Sequence, residues 1–147
     1  MIISDFLSPD DVLMGVRAPQ KRQLLKELAQ KIALTLALSP HLISSELLKR
    51  EDLGSTGTGG GIAIPHARIV GLEKPRGLLA RLKQPIDFDS IDGEPVDLVF
   101  VLLLPANVEA GQLGALASVA RRLRTPEEVA RMRDARTPAE LYAAIAC

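Results

Sequence analysis

Apolar and polar positions alternate along this chain with two periods. In "QKRQLLKELAQKIALTLAL" (20–38), Leu24, Leu25, Leu28, Ile32 and Leu36 recur at helical spacing. Lys21, Arg22, Lys26 and Glu27 fall on the opposite side, so the pattern predicts an amphipathic helix packed on a partner. "DVLMGVRA" (Asp11–Ala18) reads as a short strand before it. Ser39 and Pro40 supply an N-cap and a first helical residue, which predicts a second helix from "SPHLISSELLKRE". "GIAIPHARI" and "GLLARL" (Gly77–Leu82) are short and strand-like. "PVDLVFVLLLP" (Pro95–Pro105) is an almost unbroken apolar run, the pattern of a central strand covered on both faces. Asp92-Gly93 predicts a turn before it.

The last third has the period of a helix again. "EAGQLGALASVARRL" puts Leu113, Leu116, Val119, Ala120 and Leu123 on one face. "TPEEVARM" and "TPAELYAAIA" share a start signal. Thr125 and Thr137 are the N-caps, Pro126 and Pro138 follow, and Glu128 and Glu140 can complete capping boxes. Strands and helices in this order predict an α/β fold with helices covering both faces of a sheet. At 147 residues, one domain spanning 1–147 is expected.

Composition narrows the function. Lys plus Arg is 18 and Asp plus Glu is 18, so a general nucleic-acid binder, which needs a basic excess, is not expected. Aromatic residues are only 3% with no Trp, which disfavours base-stacking platforms and carbohydrate clefts. The one cysteine, Cys147, cannot form an internal disulfide. No apolar run reaches membrane-spanning length and the first residues lack a signal-peptide pattern, so a cytoplasmic location without membrane insertion is expected.

"LGSTGTGGGIAIPHARI" (Leu53–Ile69) carries five glycines and one of the two histidines. It fails as a P-loop, because Gly60 stands where the lysine that reaches the outer phosphates should be. It fails as a dinucleotide fingerprint, because Ile62 or Ile64 occupies the third glycine position. Both motifs also hand over to a helix, whereas here the glycines lead into "IAIP". A polar loop of this kind can gather backbone N–H groups around an anion, or simply turn tightly.

His66 follows Pro65, which fixes its own φ and pushes Ile64 towards an extended conformation. Histidine titrates near neutrality as a residue type, so a neutral, nucleophilic nitrogen suits temporary capture of a phosphoryl group. Such a transfer relies on positioning and charge stabilisation. The bland alternative is a strand-end histidine with a satisfied hydrogen bond. His41, in a predicted first helical turn, reads as a solvated residue. Two histidines and a terminal cysteine provide no metal-ligand cluster, and GxSxG is absent. No cofactor is called for. Arg121, Arg122, Arg124, Arg131, Arg133 and Arg136 form a basic set, readable as a solvated face or as a docking surface for an acidic partner.

"LLKREDLGSTGTGGGIAIPHARI" resembles the active-site segment of enzyme IIA domains of the bacterial phosphotransferase system, fructose/mannitol class. The resemblance continues through "QPIDFDSIDGEPVDLVFVLLLPA" to "LASVARRLRTPEEVARMRDARTPAELYAAI" and is strongest to the nitrogen-regulatory branch. It implies a three-layer α/β/α fold with a single mixed sheet. It implies that His66 accepts a phosphoryl group at Nε2 from a histidine-phosphocarrier protein. By the same resemblance Arg50 matches the arginine near the phosphate, and Ser55, Thr56 and Gly57 match the segment that shapes the phosphate pocket. The family usually has a second histidine where this chain has Gln112. Glutamine can donate to phosphate or orient an imidazole but cannot be an acid at neutral pH, which implies an altered transfer rate or phosphohistidine lifetime.

The resemblance therefore implies a stand-alone regulatory phosphocarrier whose two phosphorylation states bind different targets. In the family these include potassium-transport and sensor-kinase proteins. The alternatives are a sugar-transport enzyme IIA that passes phosphate to an enzyme IIB, and a binding module that is never phosphorylated.

Overall fold

The computed structural model describes residues 1–107 and 110–147, with the side chains of 110–113 outside the description. One mixed sheet of six strands lies between two layers of helices. The strands are β1 (Val12–Val16), β2 (Gly57–Gly59), β3 (Ile62–Ala63), β4 (His66–Ile69), β5 (Arg76–Ile86) and β6 (Val96–Pro105). The order across the sheet is β1-β5-β6-β3-β2, and β4 extends the line of β3 along β6. β1 runs parallel to β5, β5 antiparallel to β6, and β3 and β4 parallel to β6. The α/β fold with helices on both faces is the one the sequence predicts.

β6 shows why. Leu98, Phe100, Leu102 and Leu104 enter one apolar cluster, and Val99, Val101 and Leu103 enter the other. Successive residues of a strand point to opposite faces, so an unbroken apolar run is what a strand buried on both sides requires. The Leu102 cluster is completed by α3 (Ala110–Arg122), α4 (Pro126–Asp134) and α5 (Pro138–Ala146), together with Ile3, Phe6 and Leu7 from the N-terminal turn. Phe6 meets Phe100 edge to face with ring centroids 6.3 Å apart. The Val101 cluster is completed by α1 (Lys21–Ala33) and α2 (Pro40–Leu53).

Several local expectations change. α1 ends at Ala33 instead of running on to Leu38. The Thr35 hydroxyl donates to the Ile32 carbonyl, and 3-10-type bonds tighten the turn before Ser39 caps α2. β1 is shorter than 11–18 because Asp11 closes a 3-10 turn, its carboxylate accepting from the Ser8 amide and hydroxyl. Thr125 forms no capping box; its hydroxyl donates back to the Arg121 carbonyl. Thr137 does accept from the Glu140 amide, but the Glu140 carboxylate reaches past the cap to the Arg136 amide. On α3 the buried stripe is Ala115, Val119 and Leu123, with Leu116 and Ala120 partly buried, while the Leu113 side chain lies outside the described residues. The N-terminal core residues Ile3, Phe6 and Leu7 have no periodic signal in the sequence.

Candidate functional site

The glycine stretch is a clasped corner of the sheet. Ser55 Oγ donates to the Phe88 carbonyl and accepts from the Gly57 amide. Gly57 lies so close to Ser90 that an added Cβ would collide with the Ser90 hydroxyl, which explains glycine there without any phosphate. Gly59, Gly60 and Gly61 take φ of 100°, 67° and 81°, the left-handed region where side chains are strained. They turn β2 back onto β3 in an antiparallel pairing, so that Gly57–Gly59, expected as loop, is a strand, while Ile62–Ala63 is strand as its pattern predicts. The Asp92 carboxylate holds this turn by accepting from the Gly60 amide at 2.9 Å. That bond, with a second from the Glu94 amide, keeps the Asp92 carboxyl below the usual carboxylate range.

Thr56 is buried and both its polar donors are committed. Its amide donates to Glu51 Oε2 at 2.9 Å, and its hydroxyl donates to Glu51 Oε1. Glu51, at the end of α2, is only 5% exposed, and Lys21 Nζ supplies the counter-charge at 3.3 Å. Lys21 also pairs with Asp89 at 3.0 Å and lies over the Phe88 ring. Burial works against the Lys21 ammonium, but the bonds and charges of Asp89 and Glu51 outweigh it, and its pKa is raised. A buried charge without such partners would be strongly destabilising. Sequence reasoning missed this cluster, since Lys21 and Glu51 are 30 positions apart.

His66 opens β4 beside Leu102 of β6 and is half-buried. Its Nδ1 lies 2.7 Å from the Ile64 carbonyl oxygen. A carbonyl can only accept, so Nδ1 carries the proton and the neutral ring keeps its lone pair on Nε2. Ile64 is fixed in turn, its amide donating to the Thr56 carbonyl at 3.0 Å. Ala67 and Ile69 point into the α1–α2 cluster, so alternation puts His66 and the exposed Arg68 on the other side of β4. Arg68 is a cation two residues from His66 that the sequence reading passed over; period two in "PHAR" is the signal for it.

Arg50 lies on α2, which packs against β4, and its Nη1 donates to the Gly54 carbonyl at 2.9 Å. Among the described residues it makes no hydrogen bond to His66. Gln112 lies in the first turn of α3, and its side chain is outside the described residues. His41 is exposed in the first turn of α2, as its sequence context predicts. The arginine set is only partly available to a partner. Arg133 binds Asp97 and the Gly60 carbonyl, and Arg122 binds Glu128 and the Cys147 carbonyl. No helix among the described residues is long and apolar enough to cross a membrane.

Residues 5–147 match the family described as phosphoenolpyruvate-dependent sugar phosphotransferase system, EIIA 2, and the chain belongs to that family. Its relatives narrow the class to the nitrogen-regulatory type. The nitrogen regulatory protein of Bradyrhizobium diazoefficiens is 43% identical over 146 residues, covering 99% of this chain and 95% of that protein. That of Pseudomonas aeruginosa is 38% identical, covering 95% and 92%. The crystal structure of the nitrogen regulatory protein IIA-Ntr from Neisseria meningitidis superimposes with a TM-score of 0.92 at 30% identity, covering 97% of this chain and 98% of that one.

Proposed function

We propose that this chain is a regulatory phosphocarrier, a single IIA unit acting in the cytoplasm, which takes a phosphoryl group on His66 Nε2 from a histidine-phosphocarrier protein. The observation that carries the reading is the bond from His66 Nδ1 to the Ile64 carbonyl. It leaves Nε2 as the nucleophile and gives the ring a fixed direction. In the transfer, the P–N bond of the donor's phosphohistidine breaks and its electron pair stays on the donor imidazole. A new P–N bond forms at Nε2. Positive charge that develops on the His66 ring is stabilised at Nδ1–H by the carbonyl dipole, an arrangement favoured where the transition state is loose.

Arg50 is the cation of this reading. Its guanidinium has donors beyond the one used by Gly54, and its planar fork suits phosphoryl oxygens. The segment Ser55–Gly57 acts by shape, because the two hydroxyls are already bonded within the protein. Gln112 supplies no charge, which lengthens or shortens the phosphohistidine lifetime relative to a histidine; Gln112→His tests that. A phosphoryl group adds negative charge at the half-buried His66, beside the exposed Arg68, so the two states present different faces to regulatory targets. Potassium-transport and sensor-kinase proteins are the target classes to try first.

The test is incubation with labelled phosphoenolpyruvate, enzyme I and the phosphocarrier. Base-stable label is expected on the wild type and none on His66→Ala. Label passing quantitatively to an enzyme IIB would favour a sugar-transport role instead.

A further inference from the structure

We propose that Glu51 is a positioning residue for His66, acting through Thr56 and Ile64 to hold the imidazole in the Nδ1–H tautomer. A continuous chain of bonds joins the two residues. The Glu51 carboxylate takes both the amide and the hydroxyl hydrogen of Thr56. The Thr56 carbonyl accepts from the Ile64 amide at 3.0 Å. The Ile64 carbonyl then accepts from His66 Nδ1 at 2.7 Å. Each link fixes the peptide plane on which the next depends, and hydrogen bonds in series polarise one another.

The location supports this role. Glu51 follows Arg50 directly and is almost fully buried, a costly place for a carboxylate. Its counter-charge, Lys21, comes from the start of α1 and reaches on to Asp89, so one ionised cluster ties α1, α2, the glycine corner and the loop before β6 together. A corner made of glycines has little intrinsic rigidity. The carboxylate replaces that missing rigidity at Thr56, the residue whose carbonyl sets the position of Ile64. Outer partners bonded directly to a metal-bound histidine change activity about 10–100-fold when lost; here the directly bonded group is the Ile64 carbonyl, and Glu51 acts by fixing it.

The proposal rests on His66 being the phosphoryl acceptor, but its test separates the two. Long-range proton–nitrogen spectra of the His66 ring report the tautomer without any phosphoryl donor. The rate of label uptake from the charged phosphocarrier reports the consequence. Glu51→Ala is expected to give a mixture of tautomers and a rate about 10–100-fold lower. Thr56→Val, which removes only the hydroxyl, is expected to shift both in the same direction by less. Glu51→Gln can keep the bond from the Thr56 amide through its Oε1, and the hydroxyl bond with its direction reversed, Nε2 donating to Thr56 Oγ1, and is expected to recover the tautomer and most of the rate. If Glu51→Ala and Thr56→Val keep a pure Nδ1–H tautomer and transfer within about twofold of wild type, the proposal is overturned. If Glu51→Ala does not fold, Thr56→Val decides in the same terms. Absence of label on the wild type would reject the acceptor reading alone, and the tautomer comparison would still judge Glu51.

Discussion

β6 and the glycine corner belong to one sheet, with β3 between them, and are held by opposite physics. β6 is fixed by apolar side chains packed on both faces, from Val96 through Leu104. The corner from Gly54 to Gly61 has no large side chain and is fixed by polar bonds from outside: Glu51 on Thr56, Asp92 on Gly60, Ser55 on Phe88. Packing makes a rigid support that tolerates no choice of partner. Directed bonds let small residues hold a histidine by its Nδ1. The difference predicts that damage to β6 will lower stability, and damage to the corner will act first on His66.

The largest stability effect belongs to β6. Phe100→Ala leaves a cavity against Phe6 and is expected to cost about 3–5 kcal/mol, measured by urea unfolding. Its folded fraction should still take label at the wild-type rate, whereas slowed uptake per folded molecule would blur the contrast. Lys21→Met is next. It strips the counter-charge from a buried carboxylate and is expected to cost about 3 kcal/mol, softened by the Thr56 bonds that Glu51 retains. Because the Lys21 pKa is raised in the folded state, its contribution is complete below the ordinary lysine value of 10.5 and fades as pH climbs through the raised value. Urea midpoints followed through that alkaline range should fall for the wild type, and the fall should be shallower for Lys21→Met. The smallest effect is expected from Arg22→Gln. Its pair with Asp52 is exposed on both sides and lies outside the glycine corner, so the change should cost less than about 1 kcal/mol and leave label uptake untouched.

The same contrast explains what could be read before the fold was known. The apolar pattern marks β6 and the buried face of α1, since burial repeats with the geometry of the element, and the Ser39–Pro40 cap marks the start of α2. Directed bonds between distant segments leave no such repeat. Nothing in the order of residues announces that Lys21 meets Glu51, that Asp92 meets the Gly60 amide 32 positions away, or that Arg81 satisfies the carbonyls at the end of α4. Residue type alone overstated the Thr125 cap, because its hydroxyl found the Arg121 carbonyl first. At the candidate site, His66 and Arg50 are proposed from the motif that contains them. The role of Glu51 is not, although it stands beside Arg50, since a Glu in "KRED" reads as one more solvated charge.

In the proposed transfer, Nε2 of His66 takes the phosphoryl group. The most direct measurement is a phosphorus–nitrogen correlation on the protein after incubation with phosphoenolpyruvate, enzyme I and the phosphocarrier. A phosphoryl signal coupled to His66 Nε2 is expected, with Nδ1 still protonated, and no signal from His66→Ala. A signal on Nδ1, or label that survives in His66→Ala, would contradict it.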